Sequence, residues 1–218
     1  MHAFTGLATA AYCPRKLYYE RTRGDRAPPE SVAPIRNLAF RYGELLDPAT
    51  DLGAEPIAVT PTTYRSNLGS AKARLDRWAD LVDPSEERVF LRGKDAHGVA
   101  HKLLAEPPAP VIVSPGEPPE RGVWEPHGVW ATAAAKALAW ELEASVERAY
   151  VEYPAHGVVR DVGMTTRRKA RYRKALRAAE SIDGPPPRLR NDAKCDACEY
   201  REECGTVTRS LRSRLSLR

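Results

Sequence analysis

The chain has 218 residues, enough for one sizeable core or for one domain carrying a small appendage. Its hydrophobic content of 42% and charged content of 29%, with no apolar run near the roughly 20 residues that span a bilayer, describe a soluble globular protein and exclude a helical membrane protein. The net charge of +5 is uneven: residues 160–218 hold 16 Lys and Arg against 8 Asp and Glu, a balance of +8, while residues 1–159 hold 18 against 21, or −3. A polyanion, if one binds, belongs on the last third of the chain.

The N-terminus, Met1-His2-Ala3-Phe4-Thr5, lacks a basic region followed by an apolar one. The expectation is therefore no secretion signal and a cytoplasmic protein with reduced thiols. Thr5 to Tyr12 leads into Cys13-Pro14-Arg15-Lys16-Leu17-Tyr18-Tyr19, a short helix or turn presenting a cysteine beside two cations and two tyrosines, with Pro14 fixing the turn. Residues 24–34 hold Gly24, Pro28, Pro29 and Pro34 and read as a loop. Residues 35–46 place Leu38, Tyr42, Leu45 and Leu46 at helical spacing before Asp47-Pro48, which predicts a core-facing helix.

From Ser70 the pattern predicts extended segments at 71–82, 88–92 and 99–104, a three-stranded meander, with Val111-Ile112-Val113 as a short buried strand. Ser114 to Pro126 is too rich in Pro and Gly for regular structure. Residues 127–146 carry Val129, Trp130, Ala133, Ala134, Ala137, Leu138 and Leu142 on one broad face, the strongest helix signal in the chain. Two strands, 149–153 and 158–164, flank Pro154-Ala155-His156-Gly157. Thr165 or Thr166 then caps a helix over 167–180 that holds Arg167, Arg168, Lys169, Arg171, Arg173, Lys174 and Arg177, with Tyr172 among them. Seven cations in eleven residues with an aromatic suit phosphate contact and base stacking, although a run of this kind is as often a solvated face. Gly184-Pro185-Pro186-Pro187 stops the helix and acts as a stiff link.

Beyond the link lies Cys195-Asp196-Ala197-Cys198 with Cys204, a C-x2-C-x5-C cluster. With Cys13 these are all four cysteines of the chain, one complete tetrathiolate set, and closing it spans 182 residues, from 13 to 195. Spacing alone leaves zinc slightly ahead of a [4Fe–4S] cluster, and leaves a C-x2-C pair with two incidental cysteines as the bland reading.

Taken in order, Tyr12-Cys13-Pro14-Arg15-Lys16, a helix, a β-meander, a long helix, a strand and Lys194-Cys195-Asp196-Ala197-Cys198-Glu199-Tyr200 with Cys204 resemble the CRISPR-associated exonuclease family of RecB-like iron–sulfur nucleases. The resemblance covers most of the chain. It implies an α/β, restriction-endonuclease-like mixed sheet flanked by helices over residues 1–184. It also implies a cap over 185–218 in which Cys13, Cys195, Cys198 and Cys204 hold a [4Fe–4S] cluster that joins the two ends. It further implies DNA as partner, as single strands or ends, and other CRISPR adaptation proteins.

Such nucleases hold Mg²⁺ or Mn²⁺ with an Asp on one strand and a Glu-x-Lys on the next, usually with a His before them. Here Asp47 falls in the His position, after Gly43, and the strand Asp corresponds to Asp95 or, less well, Asp76. Where the family reads Pro-Val-Glu-x-Lys-x-Gly the chain reads Pro110-Val111-Ile112-Val113-Ser114-Pro115-Gly116, and Trp130 stands for the usual helix Gln. Ile112 cannot bind a metal and Ser114 cannot supply the cation, so the leading expectation is a DNA-binding protein whose nuclease site is eroded. The alternatives are an active exonuclease using Asp47 and Asp95 with a carboxylate such as Glu106, Glu117 or Glu120 and Lys102 as cation, and a zinc-stapled module that binds proteins. His97, His101 and Lys102 read most simply as an exposed strand face, and His127 and His156 as loop residues.

Overall fold

In the computed structural model, residues 1–24 and 29–205 are described. Strand β1 (His2–Ala3) runs straight into helix α1 (Phe4–Tyr12), whose Phe4, Leu7, Ala8 and Ala10 face the interior. Cys13 then serves both as the last cap of α1, its N–H bonding Thr9 O at 2.8 Å, and as the extended residue before α2 (Pro14–Arg23). Pro14 at the first helical position needs no N–H partner, so α2 starts directly after the extended Cys13.

The sheet has six strands: β1, β2 (Glu86–Arg92), β3 (Ala96–Leu104), β4 (Ala109–Val113), β5 (Arg148–Tyr153) and β6 (Val158–Gly163). β3 pairs antiparallel with β2 along one edge; along its other edge it pairs parallel with β1 and antiparallel with β4. β4 and β5 are parallel, joined by the long helix α7 (Glu125–Glu141), and β6 returns antiparallel to β5. The sheet is therefore mixed and flanked by helices, an α/β architecture.

Alternation along β4 divides the core in two. Ile112 faces one layer, built by α1, α7 and α8 (Thr166–Glu180); Val111 and Val113 face the other, built by Leu38 and Ala39, α4 (Tyr42–Leu45), α5 (Pro61–Arg74) and α6 (Trp78–Val82). α7 is buried almost all round from Gly128 to Leu138, as a helix sandwiched between a sheet and two other helices must be. α1 approaches β3 so closely that a Cβ at Gly98 would sit 2.7 Å from Phe4 Cδ2.

Three expectations are corrected. The segment 71–82 is not extended but holds the end of α5, a turn at 75–77 and α6: Thr60 caps α5 by accepting from Thr63 N at 3.3 Å, Pro61 opens it, and Ala71-Lys72-Ala73-Arg74 are good helix formers that carry it on. The meander consequently consists of β2, β3 and β4. The helix expected at 35–46 is broken into α3 (Val32–Asn37), a 3₁₀ turn and α4, although Leu38, Tyr42 and Leu45 do face the core. The third correction is to the strand face at His101 and Lys102, which is buried (9% and 0% exposed), while His127 lies in the first turn of α7.

Candidate functional site

Four thiols line one small cavity. Cys13 reaches it from the α1–α2 corner, Cys195 from α9 (Asp192–Asp196), Cys198 from the turn that follows, and Cys204 from the end of α10 (Arg201–Cys204). Asn191 caps α9 by accepting from Lys194 N at 3.1 Å, and Cys198 N bonds Cys195 O at 3.2 Å, so the C-x2-C pair is folded back on itself. Arg15, Lys16, Lys194 and Arg201 share the lining with Tyr12, Tyr19 and Tyr200. The seam between chain ends is closed by Tyr12 Oη donating to Lys194 O at 3.0 Å, Lys194 Nζ donating to Tyr12 O at 3.3 Å, a Lys16–Glu199 ion pair at 2.9 Å and Tyr19 stacked on Tyr200 at 5.5 Å. Burial pushes the Cys195 thiol up, and its neighbours Cys204, Cys13 and Cys198 add to this. Among the described residues no three His, Cys, Asp or Glu side chains are gathered tightly enough to hold a metal ion. The donor chemistry nevertheless suits a soft metal or cluster: four sulfurs on one cavity, with cations around them to balance thiolate charge.

A second, larger cavity of about 860 Å³ adjoins the first, sharing Tyr12, Lys16 and Lys194 with it. Its remaining wall includes Thr5, Ala8, Glu117, Trp124, Glu125, His127 and Trp130. Beneath it His127 Nδ1 contacts Tyr153 Oη at 2.9 Å and His127 Nε2 contacts Ser114 Oγ at 3.4 Å. Ser114 also accepts from Gly116 N at 3.3 Å. His101 accepts from Val113 N at 3.1 Å through Nδ1 and meets Trp130 edge-on at 5.7 Å. Burial lowers the pKa of His127 to about 4; burial, then repulsion from Arg36, Arg88 and Lys102, lowers that of His101 to about 3. Both imidazoles are neutral hydrogen-bonding groups.

The carboxylates named from the sequence do not come together. Asp95 lies in the β2–β3 turn beside Lys136 and Tyr172, on the α7–α8 side of the sheet. Asp47 follows α4 on the opposite side, where its Oδ1 accepts from Ala49 N at 2.9 Å. Asp76 sits in the exposed turn between α5 and α6, and Glu106 and Glu120 are exposed in loops. Ile112 is fully buried in the apolar layer under α1 and α7.

Helix α8 packs on α1 and α7 through Tyr172, Ala175 and Ala179. Arg167, Lys169, Arg173, Lys174 and Arg177 are exposed, and Arg168 and Arg171 half-buried. Arg171 Nε stands 3.7 Å from Glu125, so the first half of α8 borders the mouth of the large cavity. Tyr172 is 2% exposed and lies under Lys136, which removes it from any base-stacking surface. Arg209, Arg212, Arg214 and Arg218 lie outside the described residues.

Sequence reasoning missed a buried ion pair. Lys102 Nζ donates to Glu152 Oε1 at 3.0 Å and to the carbonyls of Ala39 and Leu81, each at 2.6 Å, with both partners of the pair 0% exposed. The Tyr42 hydroxyl approaches the same carboxylate, short of good hydrogen-bond geometry, and burial pushes the Glu152 carboxyl up against the downward pull of Lys102. A signal existed: each is a lone charge inside an apolar strand, Lys102-Leu103-Leu104 and Ala149-Tyr150-Val151-Glu152-Tyr153.

The site thus belongs to an α/β protein with a mixed six-stranded sheet and a four-thiol cavity between its two ends. No protein-family model matches the chain, and no curated protein matches it.

Proposed function

We propose that this chain is a DNA-binding protein of the RecB-like iron–sulfur nuclease kind, with the family's cleavage site lost. Cys13, Cys195, Cys198 and Cys204 would hold a [4Fe–4S] cluster, which when bound supplies a covalent staple between the chain ends and a one-electron couple. The chain's own residues do the rest: Tyr12, Lys16, Lys194 and Glu199 hold the seam, and Arg167, Lys169, Arg173 and Lys174 contact phosphates. CRISPR spacer acquisition is the setting that the sequence resemblance implies.

The observation that carries the reading is the orientation of α8. Its apolar stripe packs on α1 and α7, so Arg167, Lys169, Arg173, Lys174 and Arg177 are turned outward, while Arg171 stands 3.7 Å from Glu125 in the wall of the larger cavity. Such a row neutralises phosphates and releases counterions, giving affinity without sequence preference. Erosion of the cleavage site is supported by Ile112, an apolar core residue in the position of the metal carboxylate, and by the separation of Asp95 from Asp47 on opposite faces of the sheet.

The test is DNA affinity measured across salt concentrations. Replacing Arg167, Lys169, Arg173 and Lys174 by Glu is expected to lower affinity roughly a hundredfold and to flatten the salt dependence. Unchanged affinity in a variant with unchanged circular dichroism would make α8 a solvated face only.

A further inference from the structure

Of the four tryptophans, Trp78 and Trp130 are each 9% exposed, whereas Trp124 and Trp140 are 50% and 59% exposed. The exposed two stand at the two ends of α7, and the 16 residues from 124 to 140 rise about 24 Å at roughly 1.5 Å each. Helix α8 runs beside α7 over this length: a Cβ at Gly128 would meet Arg168 Nη1 at 3.1 Å, and Lys136 Nζ lies 5.6 Å from the centre of the Tyr172 ring. The Trp124 indole is held in place by its Nε1 donating to Glu117 O at 2.8 Å, and it walls the large cavity together with Glu125, which stands 3.7 Å from Arg171. Trp140 lines a recess of about 170 Å³ with Tyr172 of α8 and the exposed Lys94 and Lys136.

We propose that Trp124 and Trp140 are the base-stacking residues of a track for single-stranded DNA along α7, with Lys94, Lys136 and the outward cations of α8 holding its phosphates. The inference rests on the DNA-binding reading of α8 and adds what a row of cations cannot supply. Cations attract any phosphate backbone, whether its bases are paired or not. A base stacks on an indole only when its own face is free, as it is in a single strand and is not inside a duplex. Tyr172, the aromatic within the cation row, is buried under Lys136 and cannot serve. The two exposed indoles flank that row instead, so a strand lying along α8 meets an aromatic face near either end, and covering each indole with a base removes apolar surface from water.

The experiment measures the affinity of the full-length protein for an oligothymidylate long enough to span both ends of α7 and for a DNA duplex, each across salt concentrations. Trp124→Ala and Trp140→Ala are each expected to weaken single-strand binding roughly tenfold, to leave duplex binding within about twofold, and to keep the salt slope, because no phosphate contact is removed. In wild type the oligothymidylate should quench tryptophan fluorescence, and Trp124→Phe and Trp140→Phe should each remove part of that quenching. Single-strand affinity unchanged in both Ala variants, or lowered as much for the duplex, would overturn the inference. If reversing the α8 charges still lowered affinity for both forms, the DNA-binding reading would survive that outcome. Should an Ala variant fail to fold, absence of quenching in wild type saturated with oligothymidylate would overturn the inference by itself. A wild-type protein that binds neither form of DNA would overturn both.

Discussion

Lys102 of β3 and Glu152 of β5 meet at 3.0 Å in the fully buried layer between the sheet and α4–α6, although β4 lies between their strands. The registers explain the meeting: Lys102 stands opposite Val111, Val111 opposite Tyr150, and Glu152 is two residues further along the same face. A lysine is long enough to cross that diagonal, and its two other protons go to the Ala39 and Leu81 carbonyls of short helical segments. Breaking such a pair leaves a buried unpaired charge. Lys102→Met or Glu152→Gln is therefore expected to cost about 3–5 kcal/mol in urea unfolding, whereas Lys102→Met with Glu152→Leu should cost clearly less than the sum of the two. Single substitutions costing under about 1 kcal/mol would mean that the pair is hydrated after all.

Stability should fall on acidification through the two buried imidazoles. His101 and His127 are held to about 3 and about 4 by burial, below the ordinary value of 6.5. The native state thus binds fewer protons than the unfolded chain once the pH drops below about 6.5, and the stability these groups confer is lost progressively from there toward pH 4 and then 3. His127→Gln should flatten the stability-versus-pH curve between pH 6.5 and 4 relative to wild type. Parallel curves for the two proteins would show that His127 titrates normally.

How much of this could be read from the chain depends on which interactions are local. The strands at Val111–Val113 and Arg148–Tyr153, the long helix before Glu141 and the basic helix after Thr165 carry their signals in neighbouring residues, and all four formed. The end of α5, expected as extended from Ala71, carries no helix start of its own, because the Thr60–Thr63 cap that starts the helix lies about ten residues earlier. Tyr172 looked like an aromatic among cations; only the packing of α8 on α7 turns it inward. Lys102 and Glu152 are separated by 50 residues, and no local pattern pairs them. The four cysteines were visible as a set because their types and spacing carry the chemistry, yet the seam around them, Tyr12 to Lys194 and Lys16 to Glu199, needed the fold.

Cleavage is the next prediction. Asp95 and Asp47 lie on opposite faces of the sheet, and Ile112, which the sequence resemblance alone sets against the metal carboxylate of the nucleases, is buried in an apolar layer. Linear single- or double-stranded DNA with Mg²⁺ or Mn²⁺ should be degraded no faster by wild type than by Asp95→Ala, and the comparison removes any contaminating nuclease. Ile112→Glu with Ser114→Lys should not restore activity: a carboxylate at a 0% exposed site in an apolar layer would be driven neutral or would destabilise the fold by several kcal/mol. Cleavage abolished by Asp95→Ala or Asp47→Ala would reverse this reading.

The last prediction concerns the seam itself. If the four thiolates hold a [4Fe–4S] cluster, anaerobically purified protein should be brown, with broad visible absorption that bleaches on reduction and about four irons per chain. Cys13→Ala removes the one ligand supplied by the α1–α2 corner, so iron content should fall sharply even though Cys195, Cys198 and Cys204 are untouched. The consequences for stability should be local. The contacts across the seam are mostly partly exposed polar ones, such as Tyr12 to Lys194 and Lys16 to Glu199, whereas both core layers are built from residues before Ser181 apart from Ile182. Without the metal staple the segment after Gly184 should open more often than the sheet unfolds. Limited proteolysis of Cys13→Ala is thus expected to cut rapidly within residues 185–191 and to leave a resistant fragment whose circular dichroism still reports the sheet. Cutting at the same rate in wild type and variant, together with equal iron content, would show that Cys13 is not a ligand and that the seam closes without it.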